Sequence, residues 1–165
     1  MPKRIYFLLI TAIAAFSFIG CSSNPVTGKQ ELSLLSTNQE VNIGEKNYGS
    51  YRQAQGGDYY LDPSLQSYVS GVGAKLAQVS DAPNLPYEFV VLNNDAPNAW
   101  ALPGGKIAIN IGLLLYLEDE AQLAAVLAHE IVHAAARHGA SQITRGALTD
   151  LGLMAIGAGI QGRPN

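Results

Sequence analysis

The stretch AHEIVHAAARHG, Ala128 to Gly139, decides how the rest of the chain is read. Between Ala121 and Ala136 the only residues that are not apolar are Gln122, His129, Glu130 and His133. A helix apolar on every side is core. Burying two imidazoles and a carboxylate in it without partners costs on the order of several kcal/mol. Their order, HExxH, points to the partner that satisfies them, a zinc ion. Residues four apart on a helix share a face, so His129 and His133 can grip one metal. Glu130 lies about 100° further round, where it flanks the ion and can hold a water without itself ligating. That is the position of a general base.

The chain has 165 residues, which predicts one domain with a modest core. Charged residues make up only 14% and the net charge is −3, so there is no basic footprint and no nucleic-acid partner is expected. A single cysteine excludes an intramolecular disulfide framework and a cysteine-based structural zinc site.

The place of that cysteine carries its own message. Lys3 and Arg4 form a positive start, Ile5 to Ile19 an apolar core, and Gly20 precedes Cys21. This three-part pattern predicts a lipoprotein signal over residues 1–20, cleaved before a lipid-modified Cys21. The apolar run is short for a membrane span. Removing residues 1–20, which carry Lys3 and Arg4 and no acid, leaves 8 basic against 13 acidic residues, a net of −5. Such a surface disfavours a second, polybasic attachment to anionic lipid. Ser22 stands where an Asp commonly retains such lipoproteins at the inner membrane, so the expected location is the periplasmic face of the outer membrane.

Downstream, residues 21–35 are polar with Pro25 and Gly28 and read as a tether, leaving 36–165 as the folded domain. Thr37-Asn38-Gln39-Glu40 fits a capping box and opens a helix to about Gln55, stopped by Gly56-Gly57. Asp62 followed by Pro63 predicts a second helix to about Gln78. Tyr87 to Leu92 reads as a strand, and Asn98–Leu102 and Lys106–Asn110, split by Pro103-Gly104-Gly105, as a hairpin. Glu118, Asp119 and Glu120 suit the start of the HExxH helix, which Gly139 is expected to end. Ser141 to Ile160 predicts a last, glycine-rich helix packed against it. Arg145 and Asp150 break that segment too early for a membrane span.

With these residues placed, the chain resembles the zinc metallopeptidase family that includes the heat-shock membrane protease HtpX and the CAAX prenyl proteases, and most of all its periplasmic lipoprotein branch. Four blocks carry the resemblance: NPVTGKQELSLLS, DPSLQSYVSGVGAKLA, NAWALPGGKIAINIGLL and EDEAQLAAVLAHEIVHAAARHGA. It implies an α+β, zincin-like domain binding one zinc through His129 and His133, with Glu130 as general base. It also implies a strand beside the cleft on which an extended substrate can add its backbone; Asn98, Ala99, Gly105, Lys106, Ile107 and Ala108 are the substrate-binding candidates. The family takes its third ligand from a Glu on a helix some tens of residues beyond HExxH. No such Glu is present in this sequence, so the domain is expected to be incomplete at its C-terminus. The one acid after Glu130 is Asp150, at no ligand position of the family, and it reads as a helix-face residue. His138, beside Arg137 at the helix end, reads as a surface residue or a support for the site.

The activity implied is hydrolysis of peptide bonds in periplasmic or misfolded outer-membrane proteins, with Glu130 activating water and an outer-membrane assembly machinery as a partner. The alternative is a catalytically incomplete, lipid-anchored module of the same fold that holds unfolded polypeptide.

Overall fold

The computed structural model describes residues 21–161, so the signal expected over residues 1–20 lies outside the described residues. In chain order the elements are β1 (Cys21–Ser23), β2 (Gln30–Leu32), α1 (Thr37–Ala54), α2 (Pro63–Gln78), β3 (Glu88–Leu92), β4 (Ala99–Leu102), β5 (Lys106–Asn110), α3 (Ile111–Leu114), α4 (Glu120–Ala135) and α5 (His138–Gln161). The class is α+β, as expected. No described helix is long and apolar enough to cross a membrane.

Local chemistry sets the helix starts. Ser36 is the N-cap of α1: its Oγ accepts from the Gln39 amide, and the Gln39 side chain accepts from the Ser36 amide at 2.8 Å. The capping box is real but begins one residue before Thr37. Asp62 caps α2, accepting from the amides of Ser64 (2.9 Å) and Leu65 (3.1 Å) ahead of Pro63. Asp119 caps α4 by accepting from the Gln122 amide at 2.8 Å.

The main sheet has the order β3-β5-β4, with β3 parallel and β4 antiparallel to β5. β5 is therefore central and β4 an edge. The tight connection between β4 and β5 needs two left-handed residues, and Gly104 (φ 79°) and Gly105 (φ 85°) supply them. Alternation along the strands splits the core in two. Phe89, Val91, Ile107 and Ile109 meet Val69 and Val72 of α2 and Leu123, Leu127 and Ile131 of α4. On the opposite face Val90, Leu92 and Ala108, with Trp100 and Leu102, meet Tyr48 of α1. The sheet thus lies between the HExxH helix on one side and α1 on the other.

Two expectations give way. Residues 21–35 are not a solvated tether: β1 and β2 pair antiparallel, Cys21 opposite Leu32, and the turn between them is built on Asn24. Asn24 is 3% exposed. Its Oδ1 accepts from the amides of Val26 and Thr27, while its Nδ2 donates to Glu31 and to the carbonyl of Ala136. Leu34 and Thr144 add a second tie, the Leu34 amide donating to the Thr144 hydroxyl at 3.2 Å. The polar composition that reads as linker is here the hydrogen-bonding inventory of a packed hairpin.

Nor does Gly139 end the HExxH helix. The break comes at Arg137, which takes a left-handed φ of 59°, and α5 starts at His138. Gly139 is small for another reason: a Cβ there would stand 2.8 Å from the Pro103 ring. In α5, a Cβ added at Gly146 would meet no atom of the described residues within 4 Å.

Arg137 owes its conformation to what it reaches. Its guanidinium bonds Glu40 of α1 in a close pair and donates to the Leu35 carbonyl at 2.7 Å. Glu40 is 3% exposed; burial pushes its carboxyl up and Arg137 offsets that in part. The end of α4 is thereby locked to α1 and to the chain just before it.

Candidate active site

α4 brings His129 and His133 onto one face, as their spacing dictates. Their Nε2 atoms lie 3.0 Å apart, both aimed at the same space. The other ring nitrogen of His133, Nδ1, is 2.6 Å from Nδ1 of His138 at the first turn of α5. One of those two nitrogens must carry the proton and the other must accept it. Since Nδ1 of His133 is engaged there, its Nε2 is left to face the cleft beside His129.

Glu130 is 8% exposed and bounds the same cavity as the two histidines and β4. Burial pushes its carboxyl above the ordinary range, against the pull of His133 and His129. A carboxyl so raised holds a proton more readily than an ordinary one, which suits it to taking up and returning a proton.

The opposite wall of the cleft is β4. The cavity, about 380 Å³, is bounded by Ala99 to Pro103 on one side and by His129, Glu130, His133 and the start of α5 on the other. The Asn110 amide donates to the Asn98 carbonyl, and the register pairs Ala99 with Ile109 and Ala101 with Ile107. In an antiparallel ladder this phase turns the backbone N–H and C=O of Ala99 and Ala101 away from β5, toward the cleft. The edge is therefore open to a further strand.

The substrate-binding candidates separate accordingly. Ala99 lies on the edge strand and lines the cleft. Asn98 sits just before it, its carbonyl occupied by Asn110. Gly105 belongs to the turn, packed against Tyr87. Lys106, Ile107 and Ala108 cannot face a substrate: they lie in the central strand, Ile107 and Ala108 at 0% exposure, and Lys106 is bonded to Glu88. Reading both halves of the hairpin as cleft-facing fails because only one half can be the edge.

Sequence reading assigned no role to Trp100. It is among the residues bounding the cleft, while its ring packs on the α1 face of the sheet against Tyr48 and Tyr51 and its Nε1 is buried without an acceptor among the described residues.

The donor set fits zinc: two imidazole Nε2 atoms converging from one helix, one ring held from behind, and a carboxylate at the side. Among the described residues no group of three or more His, Cys, Asp or Glu is arranged around one ion. His138 approaches His133 from the side away from the Nε2 pair. Asp150 is twelve residues further along α5, about 18 Å by helical rise, which removes it as a ligand.

Residues 63–163 match the model of Peptidase family M48. A beta-barrel assembly-enhancing protease of Escherichia coli K12 is 36% identical over 115 residues, covering 69% of this chain and 23% of that protein. The mitochondrial metalloendopeptidase OMA1 of Schizosaccharomyces pombe is 33% identical over 142 residues, 84% of this chain and 42% of its own length. Its namesake in Saccharomyces cerevisiae is 27% identical over 163 residues, 90% of this chain and 47% of that one. The chain thus spans from about a quarter to under half of these relatives.

Proposed function

The chain belongs to peptidase family M48, and from that premise we propose that it is a zinc-dependent metalloendopeptidase acting on extended polypeptide laid along β4. The observation that carries the proposal is the pair of Nε2 atoms 3.0 Å apart, with Glu130 beside them and an open strand edge opposite. His129 and His133 would hold the ion. Zinc, when bound, polarises a carbonyl and lowers the pKa of water toward ~7. Glu130 takes the proton of the attacking water and hands it to the leaving amine. The outward N–H and C=O groups of Ala99 and Ala101 hold the substrate backbone extended, which fixes the scissile carbonyl relative to Glu130. His138 keeps the His133 ring turned toward the cleft.

Two further parts of the proposal rest on sequence. The signal pattern supports a lipid on Cys21 at the periplasmic face of the outer membrane. Because Cys21 opens β1 rather than a tether, that lipid would hold the catalytic helix close to the bilayer. The name of the Escherichia coli relative supports outer-membrane proteins as substrates and their assembly machinery as a partner. The four blocks support a likeness to the HtpX and CAAX branch of the family.

The test is a pair of substitutions read by two assays, zinc content after dialysis and hydrolysis of casein. Glu130→Gln should abolish hydrolysis by at least about 100-fold and leave zinc bound. His133→Ala should lose the metal. Equal loss of zinc in both variants would sink the division of roles. Normal hydrolysis by Glu130→Gln would remove the general base.

A further inference from the structure

The cleft continues around the edge of β4. On the α1 side of the sheet it runs into a second cavity of about 300 Å³, which shares Ala101 to Pro103, Gly139 and Gln142 with the first. Its distinctive walls are Ile43, Asn47 and Tyr51 of α1 and Ile143 of α5. Behind Tyr51 stands Trp100, ring centroids 5.9 Å apart and 61° between planes, an edge-to-face pair that makes the wall aromatic. Tyr51 is 52% exposed and Ile143 42% exposed, so both have apolar surface left to cover. Among the described residues lining this cavity there is no acidic or basic side chain.

The two cavities lie on opposite faces of one strand edge. Ala99 and Ala101 belong to the core face that carries α4, and Trp100 and Leu102 to the face that carries α1. A peptide paired to that edge alternates its side chains between the same two faces. Side chains of one parity point toward His129 and Glu130, and those of the other parity point into the α1-side cavity. We propose that this cavity is a subsite for one bulky uncharged side chain, aliphatic or aromatic, carried by a substrate residue that points away from the histidines. The proposal rests on the peptidase reading and deepens it by naming what the substrate must carry. A charged side chain entering it would leave water without a counter-charge, whereas Leu or Phe would cover Tyr51 and Ile143. Selection then comes from exclusion as much as from attraction.

The experiment uses the full chain carrying Glu130→Gln, with zinc, and fluorescein-labelled decapeptides in which Ser alternates with X, where X is Leu, Phe, Asp or Lys. Binding is followed by fluorescence anisotropy. Peptides with Leu and Phe should bind at least about tenfold tighter than those with Asp and Lys, a difference of about 1.4 kcal/mol. Adding Ile43→Lys should reverse the order toward Asp, and adding Tyr51→Ala should weaken Phe about threefold or more while leaving Lys unchanged. Thermal melts confirm that both variants fold. Discrimination below about threefold, an unchanged order in Ile43→Lys, or no binding of any peptide would overturn the subsite. Casein hydrolysis by the unsubstituted chain keeps the two ideas apart. Cleavage with no preference for X removes the subsite alone, and preference for X with no cleavage removes the peptidase reading alone.

Discussion

Replacing Glu40 with alanine tests whether α4 is held in place from outside its own helix. The Glu40 side chain is 4% exposed and that of Arg137 14%, so the pair is buried on both sides. Breaking a buried pair from one side costs about 3–5 kcal/mol, because the surviving charge stays in the interior. Two features place Glu40→Ala near the lower end, about 3 kcal/mol. Burial already pushes the Glu40 carboxyl up, so its ionised form carries a cost that the substitution removes. Arg137 also keeps the Leu35 carbonyl. Glu40→Gln retains an acceptor and should cost about 1–2 kcal/mol. Arg137 adds an internal control through its φ of 59°. Arg137→Ala and Arg137→Gly lose the same guanidinium, yet glycine takes that conformation freely, so Arg137→Gly should be the more stable by about 1 kcal/mol. Urea unfolding followed by circular dichroism measures all four, with m unchanged if only stability moves. The reasoning fails if Glu40→Ala costs under about 1 kcal/mol. It fails equally if the double variant with Arg137→Ala loses the full sum of the single losses, since a real pair must couple.

Three other outcomes are expected. Asp62 has its carboxyl lowered from 3.8 by the Ser64 hydroxyl and the Leu65 and Ser64 amides, so the folded state binds its proton less readily than the unfolded chain. Its contribution is present above about pH 3.8 and is lost as pH falls through the lower folded value; Asp62→Ala should lower Tm more at pH 6 than at pH 2, whereas Asp62→Asn should show no such pH dependence. Gly44→Ala would put a Cβ 1.9 Å from the Pro103 carbonyl oxygen, a backbone atom that cannot step aside, and should cost about 2–3 kcal/mol in urea unfolding. Cys21→Ala should leave an unprocessed precursor in cell fractionation, and a cleaved, fully soluble form of the unsubstituted protein would refute lipid attachment.

What the sequence made legible was whatever rests on neighbours along the chain. The HExxH spacing places His129, Glu130 and His133 on one helix because a helix has one period, and Asp62-Pro63 opens α2 because a cap needs only the next turn. The β4–β5 turn is equally local, since Gly104 and Gly105 supply the two left-handed residues. Opaque were the features decided by residues far apart. Asn24 looks like linker until its amide meets the Ala136 carbonyl, 112 residues away. Arg137 carries no helix-breaking signature, and its left-handed turn makes sense only once Glu40 and Leu35 are beside it. KIAIN, with a lysine at one end and an asparagine at the other, looks more exposed than AWAL and is the more buried of the two. Glu88 and the Tyr48 ring cover Lys106, and Asn110 donates to the Ala96 carbonyl.

That last inversion bears on the chemistry. A peptidase of this design needs a strand edge at a fixed distance from its metal ligands, and position within the sheet, not strand propensity, decides which strand is the edge. Placing β5 in the middle fixes β4 from behind by four paired residues, while α4 and α1 clamp the two faces. The edge that would receive substrate is then as rigid as the core it belongs to. The Arg137–Glu40 pair ties the end of α4 to α1, and Gly44 lets α1 approach the turn that ends β4. The histidines, the strand edge and the α1-side cavity are consequently positioned by one connected set of contacts. Loosening α1 should therefore disturb the proposed metal binding and side-chain selection together, although no residue of α1 is among those bounding the cavity of the histidines.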